Sequence, residues 1–248
     1  MKNKIVAICG TYKRSNLIPN VLAQWERQVV SSDFEKYLLI YDDAGEFSNI
    51  KGEDWEIRSV QKRIPTLGAK WDKMARIAFD ELGATHVAIW DDDDVYGPMY
   101  IMNHMKTFSL YPDCDVSAPG QGTKFYIIFA DRTELCTSGP IGLLHACWAF
   151  TGSFYNRCGG YNVKDIRGFD TNFFYKTRHY NWQKTVGEGI VFGYCWFSTE
   201  YKNTSPYPEE CPMKVADQTE KLKSIITEVI PKMSVRTEVV WKDNGWLG

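Results

Sequence analysis

The fold is decided by the stretch His86 to Asp94, HVAIWDDDD, in which a strongly apolar run leads directly into four acids. A short apolar run that stops at polar residues is typical of a strand buried on both faces of a parallel sheet. The same pattern occurs earlier, where Tyr37 to Tyr41 (YLLIY) ends in Asp42 and Asp43. Because ligands of such sheets bind beyond the carboxyl ends of the strands, both acid clusters are candidate site residues.

Strand-like and helix-like segments alternate on both sides of this stretch. Further strands are expected at Ile5 to Cys9 and at Trp55 to Val60. Helices are expected after three residues that are suited to start one: Asn16, Thr66 and Pro98. This alternation predicts an α/β fold with a mostly parallel, twisted sheet that is flanked by helices.

The second half of the chain has a different pattern. Three strands are expected there, separated by irregular loops that contain glycine: Phe125 to Ala130, Gly142 to Phe150 and Gly189 to Phe197. Asp217 and Glu220 are spaced as a capping box at the start of a helix. No linker or repeat is visible, so we predict a single domain over 1–248. It would consist of a regular half (1–110), an irregular half (111–205) and a C-terminal helix and tail (206–248).

The composition excludes several classes of protein. Of the 248 residues, 44% are hydrophobic and 24% are charged, which excludes disordered and collagen-like chains. The net charge of −2 excludes a polycation that coats nucleic acid or an anionic membrane. The seven cysteines form no CxxC pair, which indicates reduced thiols rather than a disulfide framework or a zinc site. Since the sequence shows no signal peptide and no membrane span, we expect a cytoplasmic protein.

The four adjacent carboxylates of Asp91 to Asp94 repel one another, which raises their pKa values if they are left without partners. A hard divalent cation, Mn²⁺ or Mg²⁺, would stabilise them through one or two carboxylates together with phosphate oxygens of a substrate. The alternative is a solvated acidic turn, in which the repulsion costs little. The position of the cluster at the end of a strand favours a site for a metal and a diphosphate.

Four blocks of sequence together resemble family 2 glycosyltransferases of the GT-A fold. They are Thr11-Tyr12-Lys13-Arg14 after the first strand, Asp42-Asp43 after the second, Leu67-Gly68-Ala69-Lys70 at the start of a helix, and WDDDDVYGP from Trp90. A fifth block, Gly159-Gly160-Tyr161 followed by Arg167-Gly168-Phe169-Asp170, is similar to the acceptor-side segment of that family. The resemblance covers about residues 4–205. It implies that 1–110 is a nucleotide-sugar half and 111–205 an acceptor half.

The resemblance also implies roles for individual residues. The donor nucleotide would be bound by Thr11, Tyr12, Arg14, Asp42, Asp43, Lys70, Asp91 and Asp92, and the choice between Asp42 and Asp43 as partner of the base stays open. Asp91 and Asp93 would be the outer residues of a DxD motif and hold the metal, Asp93 most directly. Asp170 would be the catalytic base, with a helix N-cap as its alternative.

The implied activity is a metal-dependent, inverting transfer of a sugar from a nucleotide-sugar donor, with a UDP-sugar expected, to a hydroxyl acceptor. Residues 145–202 hold seven Lys or Arg against four acids, a net charge of +3, and are rich in aromatics. They permit a nucleic-acid acceptor such as a hydroxymethylpyrimidine in DNA. Three residues are candidates for the acceptor side: His145, Trp148 and Arg167.

The sequence departs from the family pattern in three places. Phe169 stands where the family often has a glutamate, Trp71-Asp72 stands where Arg-Asn is common, and the stretch before Asn203 lacks the histidine of many relatives. Two other functions agree less well with the sequence. A nucleotidyltransferase would usually carry a glycine-rich phosphate loop, but residues 10–20 contain only Gly10. A non-catalytic ion- or carbohydrate-binding module would not need the base-contacting blocks.

Overall fold

The computed structural model describes residues 2–128, 133–138, 144–165, 168–187 and 192–195. The larger of its two sheets has eight strands, in spatial order β11 (Trp182–Lys184), β7 (Val116–Ala118), β10 (Ala149–Thr151), β5 (His86–Ile89), β1 (Asn3–Thr11), β2 (Phe34–Asp42), β4 (Trp55–Ser59) and β3 (Ile50–Lys51). The smaller sheet has four, in the order β6 (Val95–Tyr96), β12 (Phe192–Cys195), β8 (Lys124–Ile128) and β9 (Thr133–Thr137). The helix and tail expected over 206–248 lie outside the described residues.

The four central strands β5, β1, β2 and β4 are parallel, as the sequence predicts. The register sets Thr11 beside Asp42, and Asp42 beside Ser59, at the carboxyl edge. One part of the sheet was not expected. Strand β10 runs antiparallel to both β5 and β7, so the parallel arrangement is interrupted next to β5. The mixed α/β class is confirmed.

Five α-helices in the described part pack on the two faces of the larger sheet: α1 (Ile18–Glu26), α2 (Leu67–Arg76), α3 (Tyr100–Leu110), α4 (Gly152–Cys158) and α5 (Phe169–Thr177). Alternate residues of β1 point to opposite faces. Ile5 and Ala7 belong to the core that α1 and α3 cover. Val6 and Ile8 belong to the core under α2, α4 and α5. Both faces are therefore closed, which explains why the inner part of β1, Ile5 to Cys9, is apolar without a break.

Local signals for helix starts had mixed outcomes. The Thr66 hydroxyl accepts a hydrogen bond from the Ala69 amide at 3.1 Å, so the predicted cap of α2 is confirmed. The expected cap at Asn16 is wrong. A 3-10 turn occupies Ser15–Leu17, and α1 begins after Leu17 with proline in its first turn and no side-chain cap. Proline carries no N–H, so it reduces the number of donors that a cap would have to satisfy.

The second half also differs from expectation around residue 145. The strand predicted from Gly142 to Phe150 is replaced, within the described residues, by a 3-10 turn over His145–Cys147 and the short strand β10. The loop after α4 is fixed by two glycines with positive φ, Gly159 at 72° and Gly160 at 68°. A Cβ on Gly160 would lie 2.4 Å from an oxygen of Asp72, so this close approach requires glycine. No helix among the described residues combines the length and apolarity needed to cross a membrane.

Candidate functional site

The carboxyl edge of the central strands brings the predicted donor-side residues together. Asp42 is completely buried at the end of β2. Its two oxygens accept hydrogen bonds from the amides of Ala44, Glu46 and Phe47 and from the Ser59 hydroxyl, at 2.7–3.3 Å. All four donors belong to its own loop or to the neighbouring strand. Asp42 therefore shapes the loop that follows β2.

Asp43 makes a different set of contacts. The Lys70 ammonium on α2 lies 2.5 Å from Asp43 Oδ1 and 2.6 Å from the carbonyl oxygen of Thr11. The second oxygen of Asp43 accepts the Ile64 amide at 2.9 Å. Lys70 reaches this position across Gly10, where a Cβ would come within 2.9 Å of its Cε. One buried cation thus joins the ends of β1 and β2 to the start of α2.

Arg14 lies on the acid cluster that follows β5. Its Nη1 donates to Asp92 Oδ1 at 2.9 Å and to Asp93 Oδ2 at 3.0 Å. Asp92 and Asp93 are each 5% exposed, whereas Asp91 is half-buried. The other oxygen of Asp92 is buried and has no hydrogen-bond partner within the described part of the chain. The sequence placed these residues in one site, and the structure adds that the arginine contacts the carboxylates directly.

The electrostatics of the cluster follow from burial and mutual repulsion. Burial, followed by the charges of Asp93 and Asp92, raises the pKa of Asp91 well above its ordinary value. Burial likewise raises the pKa of Asp93 to about 6, although Arg14 works in the opposite direction. Burial alone would lower the pKa of Arg14, but Asp92 and Asp93 outweigh it, so the net shift is upward and the guanidinium stays charged. The cluster holds more negative charge than this arginine compensates.

The residues fit a hard divalent cation that is shared with a substrate. Among the described residues, no group of three or more His, Cys, Asp or Glu could hold a metal by itself. Mg²⁺ is usually held by one or two carboxylates together with phosphate oxygens, so a two-carboxylate site is the expected form. The half-buried Asp91, the excess of negative charge and the unsatisfied oxygen of Asp92 agree with such a site.

Asp170 lies in the first turn of α5, where its Oδ1 accepts the Thr171 amide at 2.8 Å. The helix N-cap is Gly168, with a φ of 63°, so the alternative role of Asp170 as the N-cap is wrong. Asp170 is half-buried. The pKa of Asp91 is raised mainly by burial and by the charges of Asp93 and Asp92, and Arg14 lowers it. The charge of Asp170 adds a smaller upward contribution to the pKa of Asp91. The candidate base therefore lies within electrostatic range of the acid cluster.

His145 lies beside Asp170 in an aromatic enclosure. Burial lowers its pKa to about 4, against the opposing charge of Asp170, so the imidazole is neutral near pH 7. Its Nε2 lies 2.8 Å from the Tyr161 hydroxyl, and its ring meets the edges or faces of Trp71, Trp148 and Phe169 at centroid distances of 4.7–5.3 Å. Of the acceptor-side candidates, His145 faces the region of Asp170 and Trp148 is a core residue with 1% exposure. Arg167 lies outside the described residues.

The fold is similar to that of S. aureus TarS. The crystal structure of residues 1–349 of S. aureus TarS, a glycosyltransferase, superposes with a TM-score of 0.56 at 11% identity, over 87% of this chain and 65% of that chain. The same protein in complex with UDP-GlcNAc gives a TM-score of 0.55 at 10% identity, over 87% and 66% of the two chains. This chain thus spans 64–66% of the TarS 1–349 chains and 40% of a longer TarS chain that it also matches.

Structural similarity at this sequence identity shows a shared fold, and the chemistry of the site has to be argued from the residues of this chain. TarS has also been crystallised with UDP, and that structure superposes with a TM-score of 0.54. No known family profile and no curated protein sequence matches this chain. The fold is therefore recognisable where the sequence, compared as a whole, is not.

The structure explains one departure from the family pattern, at Trp71-Asp72. Asp72 is buried and accepts the Tyr155 hydroxyl at 2.6 Å and the Arg76 Nε at 2.7 Å, which ties α2 to α4. Trp71 stacks on Phe169, with the rings 6.0 Å apart and 14° from parallel. The two substituted positions, Trp71 and Phe169, therefore pack against each other. Sequence reasoning treated them as separate departures, because nothing in the sequence pairs positions so far apart.

Arg63 is a further residue of the site that the sequence alone does not indicate. Its guanidinium carbon lies 4.2 Å from the centre of the Tyr12 ring, which is within the range of a cation–π interaction. The Lys13 ammonium lies 5.5 Å from the same ring. The expected nucleotide-binding block after β1 is thus flanked by a cation from the loop before α2. The order of residues in that loop gives no signal of this contact.

Proposed function

We propose that this protein is a metal-dependent, inverting glycosyltransferase that moves a sugar from a nucleotide-sugar donor, with a UDP-sugar expected, to a hydroxyl acceptor. The observation that carries the proposal is the meeting of two groups at one edge of the sheet. The acids Asp91 and Asp93, together with Arg14, lie at the end of β5, and Asp170 lies within electrostatic range of them. A diphosphate leaving group and an acceptor hydroxyl need these two kinds of residue on opposite sides of a sugar.

The donor would lie over the ends of β1 and β2. Lys70 and Asp43 fix this edge. Asp43 is our choice for the partner of the base because it accepts two hydrogen bonds from the described residues, whereas Asp42 accepts four. Thr11 and Tyr12 would contact the nucleoside, and Arg14 would contact the diphosphate. The complexes of TarS with UDP and UDP-GlcNAc, in a related fold, support a nucleotide-sugar donor.

The acid cluster would hold the cation and, with it, the diphosphate. Asp91 and Asp93 are the residues that would bind Mn²⁺ or Mg²⁺, next to Asp92, which Arg14 contacts in the structure. When bound, such a cation neutralises charge on the departing diphosphate as a Lewis acid. Arg14 provides a fixed positive charge at the same place, and guanidinium groups bind phosphate oxygens with directed hydrogen bonds.

Asp170 would act on the acceptor. As the acceptor oxygen attacks the anomeric carbon, the Asp170 carboxylate takes the hydroxyl proton, and the diphosphate leaves from the opposite face of the sugar. A positioned base of this kind contributes about 10²–10⁴-fold to the rate. The neutral His145 and the ring of Phe169 beside it form an apolar wall, which limits the water that could compete with the acceptor.

The acceptor itself is proposed only as a hydroxyl group. Two of the seven basic residues of 145–202, whose positive charge permits a DNA acceptor, have partners within the protein. Arg157 forms an ion pair with Asp115, and Lys176 donates to the carbonyl oxygen of Gly160 at 2.8 Å. These contacts reduce the positive charge that this surface offers to a polyanion. A DNA acceptor therefore stays a separate prediction, tested below by the salt dependence of binding.

The test is hydrolysis of a panel of nucleotide sugars, with and without Mn²⁺, by the wild type and by Asp93→Asn. We expect at least about a hundredfold loss of Mn²⁺-dependent hydrolysis in the variant, since a metal contributes several kcal/mol of charge stabilisation. Its melting temperature without metal should stay or rise, because one charge leaves a repelling cluster while Asp92 still pairs with Arg14. Asp33→Asn, at an exposed position, is the matched control. Full activity of Asp93→Asn, or metal-independent hydrolysis by the wild type, would contradict the assignment.

A further inference from the structure

A single nitrogen of Arg14 lies between two carboxylates of the proposed metal site. Nη1 is 2.9 Å from Asp92 Oδ1 and 3.0 Å from Asp93 Oδ2. Through this nitrogen the guanidinium contacts one oxygen from each of two adjacent residues, as a shared metal ion would.

The fold holds Arg14 in this place. Lys13, the residue before it, has a φ of 54°, in the left-handed region that non-glycine residues rarely adopt. The carbonyl oxygen of Arg14 accepts the Leu17 amide at 2.9 Å, which closes the 3-10 turn. A strained turn between β1 and α1 thus presents the guanidinium to the acids. Such strain persists where the surrounding structure determines the conformation, and it often marks a functional segment.

The acids are incompletely satisfied by this contact. The remaining oxygen of Asp92 is buried, and the described residues give it no hydrogen-bond partner. A guanidinium cannot lose its proton in a protein, so its charge leaves the cluster only if the side chain moves. A divalent cation that approaches Asp93 therefore meets a fixed positive charge at the oxygen it would bind.

We infer that Arg14 and the divalent cation compete for the carboxylate of Asp93, so that the nucleotide-free site binds metal weakly until a diphosphate draws Arg14 away. This inference rests on the proposed function of the site. The diphosphate supplies oxygens that a guanidinium binds well, so Arg14 moves from carboxylate to phosphate while the metal takes its place. The metal then enters with the nucleotide sugar or after it, and metal without donor leaves the site largely unoccupied.

The first test is Mn²⁺ binding to the nucleotide-free protein, measured by electron paramagnetic resonance of the free ion. We expect Arg14→Gln to bind Mn²⁺ at least about tenfold more tightly than the wild type, because a cation a few ångströms from the metal is removed. Arg14→Lys keeps the charge and should stay close to the wild type. Lys36→Gln, which removes a cation that pairs with Asp54 at another place, is the control for net charge.

The second test follows the wild-type protein and uses a variant only to assign a signal. The Nε–Hε signal of Arg14, assigned by its absence from the spectrum of Arg14→Lys, is followed in the wild type by NMR. Mg²⁺ and UDP together should shift this signal more than either alone. An unchanged signal at saturating Mg²⁺ and UDP, or equal Mn²⁺ affinities of the wild type and Arg14→Gln, would overturn the competition.

These outcomes are separable from failure of the proposed function, which is read from donor hydrolysis. Equal Mn²⁺ affinities together with Mn²⁺-dependent hydrolysis would overturn the competition and leave the glycosyltransferase in place. Tighter Mn²⁺ binding by Arg14→Gln without hydrolysis of any nucleotide sugar would support the competition and remove the proposed activity.

Discussion

Replacing Lys70 by methionine should destabilise the protein strongly. Lys70 and Asp43 are 6% and 2% exposed, and the ammonium contacts Asp43 at 2.5 Å and the Thr11 carbonyl oxygen at 2.6 Å. Methionine fills a similar volume but cannot pair with the Asp43 carboxylate, which stays buried. Of the two hydrogen bonds to this carboxylate, the one from Lys70 is lost and the one from the Ile64 amide remains. Removing one member of a buried pair costs about 3–5 kcal/mol, so we expect a loss of that size.

The double variant Asp43→Asn with Lys70→Met separates the pair from its parts. Its destabilisation should be smaller than the sum of the two single losses by about 1–3 kcal/mol, since the second change removes the unpaired charge that the first creates. Lys73→Met, on the exposed face of the same helix, is the control and should cost less than about 0.5 kcal/mol.

The assay is unfolding in guanidinium chloride followed by tryptophan fluorescence and circular dichroism, whose transitions should coincide if unfolding is two-state. Additive single losses, within about 0.5 kcal/mol, would refute the argument that Lys70 and Asp43 act as one buried unit. A loss below about 1 kcal/mol for Lys70→Met would show that Asp43 finds another partner or takes up a proton at little cost.

Three further predictions use other residues. Asp170→Asn should lower turnover about 10²–10⁴-fold and leave calorimetric donor affinity nearly unchanged, because the base acts on the acceptor; an equal loss of donor affinity would move this residue to the donor side. Burial lowers the pKa of His104 to about 3, below its unfolded value, so it favours the fold above pH 6.5 and loses that contribution as the pH falls toward 3. In the variant His104→Gln, the unfolding free energy should therefore fall less steeply between pH 6 and pH 4, by about 1.4 kcal/mol per pH unit. Asp93 acts in the opposite direction in both proteins, because its raised pKa of about 6 stabilises the fold as the pH falls. An unchanged slope would contradict the prediction for His104. If the acceptor is DNA, Arg157→Gln and Lys164→Gln should each reduce the log–log salt slope of binding by about 0.9, and a wild type without DNA affinity at low salt would exclude a nucleic-acid acceptor.

The sequence is enough to predict the centre of the molecule. Ile5 to Cys9, Tyr37 to Tyr41 and Val87 to Trp90 are unbroken apolar runs, as expected of parallel strands covered on both faces, and β1, β2 and β5 are parallel. The acids after β2 and β5 lie at one edge because parallel strands end at the same edge. The Thr66 cap of α2 was also readable, since a cap depends on residues three positions apart.

The contacts within the site and the order of the outer strands follow from the three-dimensional arrangement and are not visible in the sequence. Arg14 meets Asp92 across 78 positions of sequence, and Tyr155 meets Asp72 across 83. No period or local propensity links such positions, because each pair forms only after the sheet has set the distance between its elements. Strand β10 joined β5 in antiparallel direction for a similar reason. Its direction depends on the path of the intervening chain, whereas its short apolar run fits either direction equally well.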